Sequence, residues 1–401
     1  GLSTGITGCI VILIFVRYEL SFVSFHAEAS KTYLVVQHTK FQDETSYWNT
    51  TAYPSAEALR NDFSEYSAVT QASGPMSQHF SVGDKNNEVR RYEVKNVLYA
   101  DPFYASVFDL AWIPGDPKSA FSNRNAIILT QSLAKKIFGD EAENPEAILG
   151  KTIQFENKEL LTVTAIIRDA PGNINLQYDA FMTYEFYKQT NPYQSGNWSG
   201  NYQGTTFVVL SDPEQETAIE KKLSGWKKKY LKPEDDHRIS YFLQPLKEIH
   251  YETRYGNSPG SYTMPSLIIQ AATAVALFIL IIASANFVNL VTAQASVRAK
   301  EVGVRKVLGG TRINLIGQFA GENLVLIMLT LVISLGLAQI SLTQLNSSLT
   351  ILNLQLSFQP IDALIVLLTG FLVVLLSAIY PSIVMASFKP AYALKSTSGF
   401  Q

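Results

Sequence analysis

Apolar and polar positions alternate along this chain in blocks rather than residue by residue. Residues 1–16, "GLSTGITGCIVILIFV", carry no charge and stop at Arg17. No Asp, Glu, Lys or Arg occurs between Arg254 and Arg298, and further apolar runs extend from about Ile313 to Leu342 and from Ala363 to Ser387. Runs of this kind read as membrane-spanning helices. Sixteen helical residues reach only about 24 Å, short of a hydrocarbon core of roughly 30 Å. The first residue is Gly1, not Met, so the expectation is a first helix completed by chain upstream. A signal peptide is the rival reading, but "VRYELSFVSFH" offers no small-residue cleavage site. From Pro265 to Val297 a continuous helix would measure about 50 Å, more than tilt absorbs, so one end must project as a stalk. Its small residues Ala271, Ala272, Ala274, Ala276, Ala283, Ser284 and Ala285 let neighbouring helices approach closely.

Between the first two apolar runs the pattern changes. "KTYLVVQHT", "NAIILT" and "TTFVVL" are β-branched and aromatic strand sequences. "SAEALRNDFSEY" has helical spacing with Ser55 as N-cap, "QSLAKKIFGD" reads as a helix ending near Gly139, and "EQETAIEKKLSGWKKKYL" as an amphipathic helix. "KTIQFENKELLTVTAIIRD" reads as a hairpin turning at Asn157–Lys158. Mixed, non-alternating elements indicate α+β, and roughly 240 residues suggest two lobes. The expected fold is a membrane protein: four transmembrane α-helices, with a large α+β extracytoplasmic domain inserted between helices 1 and 2.

Charge orients this picture. The 401 residues carry a net charge of −2, which gives no global attraction to nucleic acid. Charged residues make up 16%, against about 25% in a soluble domain, and they crowd the middle of the chain. Arg298, Lys300, Arg305, Lys306 and Arg312 face a single Glu301, and the tail adds Lys389 and Lys395. The loop at 343–361 has no Lys or Arg. Because cytoplasmic loops hold the Lys/Arg excess, 298–312 and the tail are expected inside, 343–361 and the large domain outside. The expected order is helix 1 at 1–22, outer domain 23–262, helix 2 with its stalk 263–297, connector 298–312, helix 3 at 313–342, outer loop 343–361, helix 4 at 362–388 and tail 389–401.

Candidate chemistry is sparse. Cys9 is the single cysteine, so no internal disulfide is possible. "GKT" at Gly150–Thr152 resembles a phosphate-binding loop, but that motif needs Gly where Pro145 stands and opens a helix, whereas this segment leads into a strand. His26, His38, His79, His237 and His250 are scattered without metal-ligand spacing, and Asp235–Asp236 reads as solvated loop. Asn49 and Asn197 begin glycosylation sequons, a weak pattern. No cofactor or metal is implied.

The densest basic stretch is "RAKEVGVRKVLGGTR", Arg298–Arg312. On a helix, Val297, Val304, Val307 and Leu308 share one face, and Arg298, Glu301, Arg305 and Lys306 the other. Glu301 and Arg305 form an i,i+4 pair. Gly309 and Gly310 stop the helix and Thr311 caps the next. Val302 lies among the charges. An apolar residue ringed by charges fits a docking patch, and a basic amphipathic connector on anionic head groups is the plainer alternative.

"NFVNLVTAQASVRAKEVGVRKVLGGTRINLIGQFAGENLVL" resembles the permeases of the MacB/FtsX class of ABC transporters, in which an E-[IV]-G-[IV]-R-[KR]-x-x-G run follows the second membrane helix. Glu301, Val302, Gly303, Val304, Arg305, Lys306 and Gly309 fill it here. "LYADPFYASVFDLAWIPGDPKSAF", "LGKTIQFENKELLTVTAIIRDAPGN", "FLQPLKEIHY" and "YPSIVMASFKPAYALK" extend the resemblance over nearly the whole chain. It implies a non-catalytic permease subunit of a bacterial inner membrane, with residues 23–262 as a periplasmic MacB-like core. Arg298, Lys300, Glu301, Val302, Gly303, Arg305 and Lys306 would seat a coupling helix in a separate ABC ATPase dimer. The long second helix would carry motion outward, for efflux of peptides or small toxic compounds. Lipoprotein release, control of a cell-wall hydrolase, or a membrane-anchored sensor without an ATPase remain alternatives. Implied partners are a second permease half or an identical copy, and a periplasmic adaptor or outer-membrane channel. The chain shows no ATPase domain and fits one permease half of a longer protein. Gly317-x-x-x-Gly321 permits close helix packing, within the chain or between chains. Glu322 is a functional carboxylate within the membrane or an interfacial partner of a basic residue such as Arg312.

Overall fold

The computed structural model describes residues 1–22, 26, 28–83, 89–156, 158–198, 203–256, 262–308, 311–348 and 356–374. The chain divides into two compact units, one of 1–20 with 267–401 and one of 21–266. The main helices are α1 (Leu2–Leu20), α2 (Ser55–Asp62), α3 (Gln131–Phe138), α4 (Tyr184–Thr190), α5 (Glu216–Trp226), α6 (Ser266–Val307), α7 (Arg312–Ser348) and α8 (Asp362–Val374). The strands are β1 (Thr32–Phe41), β2 (Glu44–Trp48), β3 (Thr51–Ala52), β4 (Tyr66–Gly83), β5 (Val89–Ala100), β6 (Ala126–Thr130), β7 (Thr152–Phe155), β8 (Glu159–Ile167), β9 (Ala180–Thr183), β10 (Gln203–Leu210) and β11 (Ile239–Pro245).

The 21–266 unit is built on one mixed sheet in the order β11-β1-β10-β4-β5-β9-β6-β8-β7. β5–β9 and β6–β8 run parallel and the other pairs antiparallel. β4 is 18 residues long and serves two neighbourhoods. Its first half pairs with β10, while Phe80 and Ser81 pair with Phe155 and Gln154 of β7. That last pairing closes β4, β5, β9, β6, β8 and β7 into a ring. Two separate cores result. One gathers Val35, Leu59, Val208, Ile219 and Leu223, the other Val97, Ile127, Leu129, Val163 and Phe186.

Local rules account for the elements. Every residue of β6 is buried, as its uninterrupted apolar run requires. Thr130 then caps α3, its Oγ1 accepting from Leu133 N at 3.4 Å, and Gly139 ends the helix at φ 59°. On α5, Ile219, Leu223 and Trp226 recur at helical spacing and are buried. Asp62 Oδ2 accepts from Trp226 Nε1 at 2.9 Å and Tyr230 Oη at 2.6 Å, and Oδ1 from Lys229 Nζ at 2.7 Å, tying α2 to the end of α5. The Lys229 bond, aided by Tyr230, holds the Asp62 carboxyl below its usual range. The Ser55 cap is corrected: Ser55 is the first helical residue, and Pro54 stands at the cap position without a side-chain bond. Proline's fixed φ starts the helix, and its missing N–H loses nothing there.

In the other unit, α1, α6 over Ser266–Ala293 and α7 over Ile313–Ser348 are long and apolar enough to cross a membrane. α8 is apolar but shorter, and the rest of the expected fourth span lies outside the described residues. A Cβ on Gly5 would overlap that of Ala283, and one on Gly8 would lie 3.9 Å from Ile279, so α1 and α6 run antiparallel in close contact. Ser334 Oγ donates to Ser3 O at 3.0 Å and Thr7 Oγ1 to Ser334 O at 3.3 Å, setting α7 level with the start of α1. At the opposite end of α1, Arg17 Nε lies 2.7 Å from Asp362 Oδ1, and Arg17 Nη2 donates to Ser357 O at 3.1 Å. Asp362 is fully buried.

Candidate functional site

Arg298, Lys300, Glu301, Val302, Gly303, Arg305 and Lys306 all lie on α6, which runs unbroken for 42 residues. At ~1.5 Å per residue that is about 63 Å, twice a hydrocarbon core. Their side chains lie outside the described residues, apart from their neighbours Val304 and Leu308, which are 49% and 81% exposed. From Ala283, level with Gly5, the helix continues roughly 36 Å to Val307, away from the Arg17–Asp362 end of α1. Thr311 Oγ1 then accepts from Asn314 N at 3.3 Å and opens α7.

Gly317 and Gly321 lie on exposed faces of α7, and a Cβ at either would meet no atom within 4 Å. Close packing within the described residues does not explain them. Glu322 is exposed and accepts from Gln318 Nε2 at 3.1 Å. It lies about 33 Å along the helix direction from the Arg17 level. The side chain of Arg312, its expected partner, lies outside the described residues.

The remaining sequence candidates take structural places in the 21–266 unit. Gly150 leads directly into β7, and Lys151 pairs with Glu141. His250 is fully buried and stacks on Phe22 with ring centroids 3.5 Å apart, while Tyr262 packs on both rings edge-on. His38 Nε2 lies 2.9 Å from Tyr255 Oη. His26 packs against Phe108, and burial pulls its pKa down to about 4.

Sequence reasoning missed a cleft of about 690 Å³ between the two cores, lined by Tyr53, Arg60, Asp101, Phe103, Tyr184 and Trp198 among others. Arg60 Nη2 donates to Asp101 Oδ2 at 2.6 Å, and its guanidinium lies 3.8 Å from the Phe103 ring centre. Asp101 Oδ1 also accepts from Thr70 Oγ1 at 2.5 Å and Phe103 N at 3.2 Å. Burial nonetheless pushes the Asp101 carboxyl upward. These residues come from segments up to 145 positions apart (Tyr53 to Trp198), so no local pattern announces them.

Residues 1–225 match the family model of the MacB-like periplasmic core domain, and residues 273–390 that of the FtsX-like permease C-terminal region. The macrolide export ATP-binding/permease protein MacB of Aggregatibacter actinomycetemcomitans is 29% identical over 205 residues, 50% of this chain. The match spans 28% of that relative's own length. A domain of a permease protein from Porphyromonas gingivalis is 19% identical with a TM-score of 0.47, over 55% of this chain and 91% of that one. The periplasmic region of MacB from Actinobacillus actinomycetemcomitans is 21% identical with a TM-score of 0.39, over 55% and 91%.

Proposed function

From the premise that the chain belongs to the MacB/FtsX class of ABC transporter permeases, we propose that it transmits ATP-driven motion from a separate ATPase to its α+β unit. Permeases of this class work with an ABC ATPase partner. The observation that carries the reading is helix α6, which runs unbroken from Ser266, the last residue of the α+β unit, through the E-V-G-V-R-K stretch. A continuous hydrogen-bonded helix moves as a rod, so a displacement at Val302 reaches Ser266. Within the α+β unit, Phe22, His250 and Tyr262 pack on one another, tying together the two chain segments that lead out of α1 and into α6.

In this reading the chain crosses a bacterial inner membrane four times, with 362–388 as the fourth span and 23–262 in the periplasm. ATP is hydrolysed by a partner dimer, seated on Arg298, Lys300, Glu301, Val302, Gly303, Arg305 and Lys306. The open Gly317–Gly321 face receives a second permease half or an identical copy. Glu322 sits at the cytoplasmic interface. The cargo is a peptide or small toxic compound, handed to an adaptor or outer-membrane channel. The same rod would serve lipoprotein release or control of a cell-wall hydrolase equally well.

Affinity purification of the full-length protein from its native membranes should bring down an ABC ATPase. Val302→Asp or Arg305→Asp should lower stimulated ATP hydrolysis by more than about tenfold, since an unpaired charge in a docking interface costs a few kcal/mol, with the protein still inserted. Normal stimulation in both variants would overturn the docking role, and recovery without any ATPase would favour a membrane-anchored sensor.

A further inference from the structure

We propose that the cleft between the two cores of the α+β unit binds an organic amine, a protonated nitrogen carried on an aromatic or flat apolar body. The proposal deepens the efflux reading by naming a ligand class and a place for it. A volume of about 690 Å³ falls within the ~300–1,000 Å³ of small-molecule sites. Its walls are aromatic, with Tyr53, Phe103, Tyr184 and Trp198 all on the lining. Ring faces of this kind attract flat apolar groups and cations alike.

The polar groups decide between charges. Both cations of the cleft are already engaged, Arg60 by Asp101 at 2.6 Å and by Val69 O at 3.0 Å, Lys188 by Glu185 at 2.8 Å. An incoming anion would have to break one of these pairs. Glu57 on the rim is exposed, and among the described residues no ion pair or hydrogen bond engages its carboxylate. It is the surplus negative charge of the cleft. On the lining, Gln71 is 1% exposed; its Nε2 donates to Thr206 Oγ1 at 3.0 Å and Ala52 O at 3.4 Å, which fixes the amide. Its Oε1 is buried and receives no donor. A buried acceptor without a donor is costly, and a small turn of the Gln71 side chain toward the cleft would let a ligand N–H satisfy it. A surplus carboxylate, an orphaned acceptor and aromatic walls together select a cationic donor.

The test uses the detergent-solubilised full chain and two probes of matched size, dansylcadaverine and N-dansyl-6-aminohexanoic acid. Energy transfer from tryptophan to the dansyl group reports binding, because Trp198 lines the cleft. The amine should bind saturably and at least about tenfold more tightly than the acid. Glu57→Gln and Gln71→Leu should each weaken it about three- to tenfold, the range set by one charged or buried polar contact. Equal binding of the two probes, no saturable binding of the amine, or amine binding unchanged in Glu57→Gln would overturn the proposal. Glu57 is exposed, so its variant tests the idea even should Gln71→Leu fold poorly. No ATPase takes part, so failure here leaves the coupling reading standing, and failed coupling leaves this one.

Discussion

Leu160 on β8 and Ile333 on α7 are almost equally exposed, at 58% and 55%, yet their neighbourhoods are opposite. Leu160 stands opposite Gln154 of β7, with Lys158 and Thr162 two positions away on either side. Ile333 belongs to a continuous exposed apolar face with Val325, Leu329, Val332 and Ile340. Hydrogen bonding differs in the same way. In the helical unit hydroxyls bond back into their own helix, as Thr330 to Leu326 O at 2.7 Å and Ser341 to Leu337 O at 2.9 Å, with Ser334 and Thr7 adding the bonds between α1 and α7. In the α+β unit they reach across the fold, as Thr51 to Thr206 at 2.8 Å and Tyr53 to Ser73 at 2.8 Å. One unit hides its apolar surface from its surroundings and the other presents it, with its polar groups closed on themselves. Lipid supplies no hydrogen bonds and does not penalise exposed leucine, so each pattern marks a different solvent.

The strongest way to break this contrast is through the one ion pair that the helical unit buries among its described residues. Arg17→Ala leaves Asp362 buried without its counter-charge and should cost about 3–5 kcal/mol, read as thermal unfolding in detergent. A loss under ~1 kcal/mol would place Asp362 in water. The paired substitutions Ile333→Lys and Leu160→Lys sharpen the comparison. The first should cost about 3 kcal/mol of insertion or assembly, the second less than about 0.5 kcal/mol. Equal tolerance would mean that both positions face water.

A smaller effect belongs to the α+β unit. His26 is held neutral by burial, its pKa about 4 against an ordinary 6.5, although Asp109 pulls the other way. Between those values the unfolded chain binds the extra proton, so stability should be present above pH ~6.5 and fall as pH drops toward 4. The full shift is worth about 3 kcal/mol; partial access to solvent brings this to about 2 kcal/mol. His26→Asn should flatten that part of the pH–stability profile. An unchanged slope would show that His26 is protonated in the fold.

Much of the backbone was legible locally. β1, β6, β10, α3, α5 and the β7–β8 hairpin all follow from short-range composition, as does the Thr311 cap. The long β4–β5 pair was not legible, because its strands mix polar and apolar residues without steady alternation, and the two halves of β4 face different partners. The Ser55 cap misled because a good capping side chain stood one position too late, after Pro54. The basic stretch at 298–312 stood out through its charge density against apolar flanks. The cleft left no such mark, since Glu57, Gln71, Asp101 and Trp198 are each ordinary in their own surroundings.

By itself the sequence determined that membrane helices accompany a large α+β domain, because the blocks of charged and apolar residues are wide compared with any ambiguity in pattern. It also determined that a helix too long for the bilayer carries the basic stretch. Only the tertiary structure decided how that helix is set against its neighbours, because the register rests on Gly5 meeting Ala283 and Arg17 meeting Asp362. It alone decided that β7 returns to β4 and that two cores leave a cleft between them. Such contacts join residues tens to hundreds of positions apart, and their register depends on how whole surfaces fit, which no short window of sequence contains.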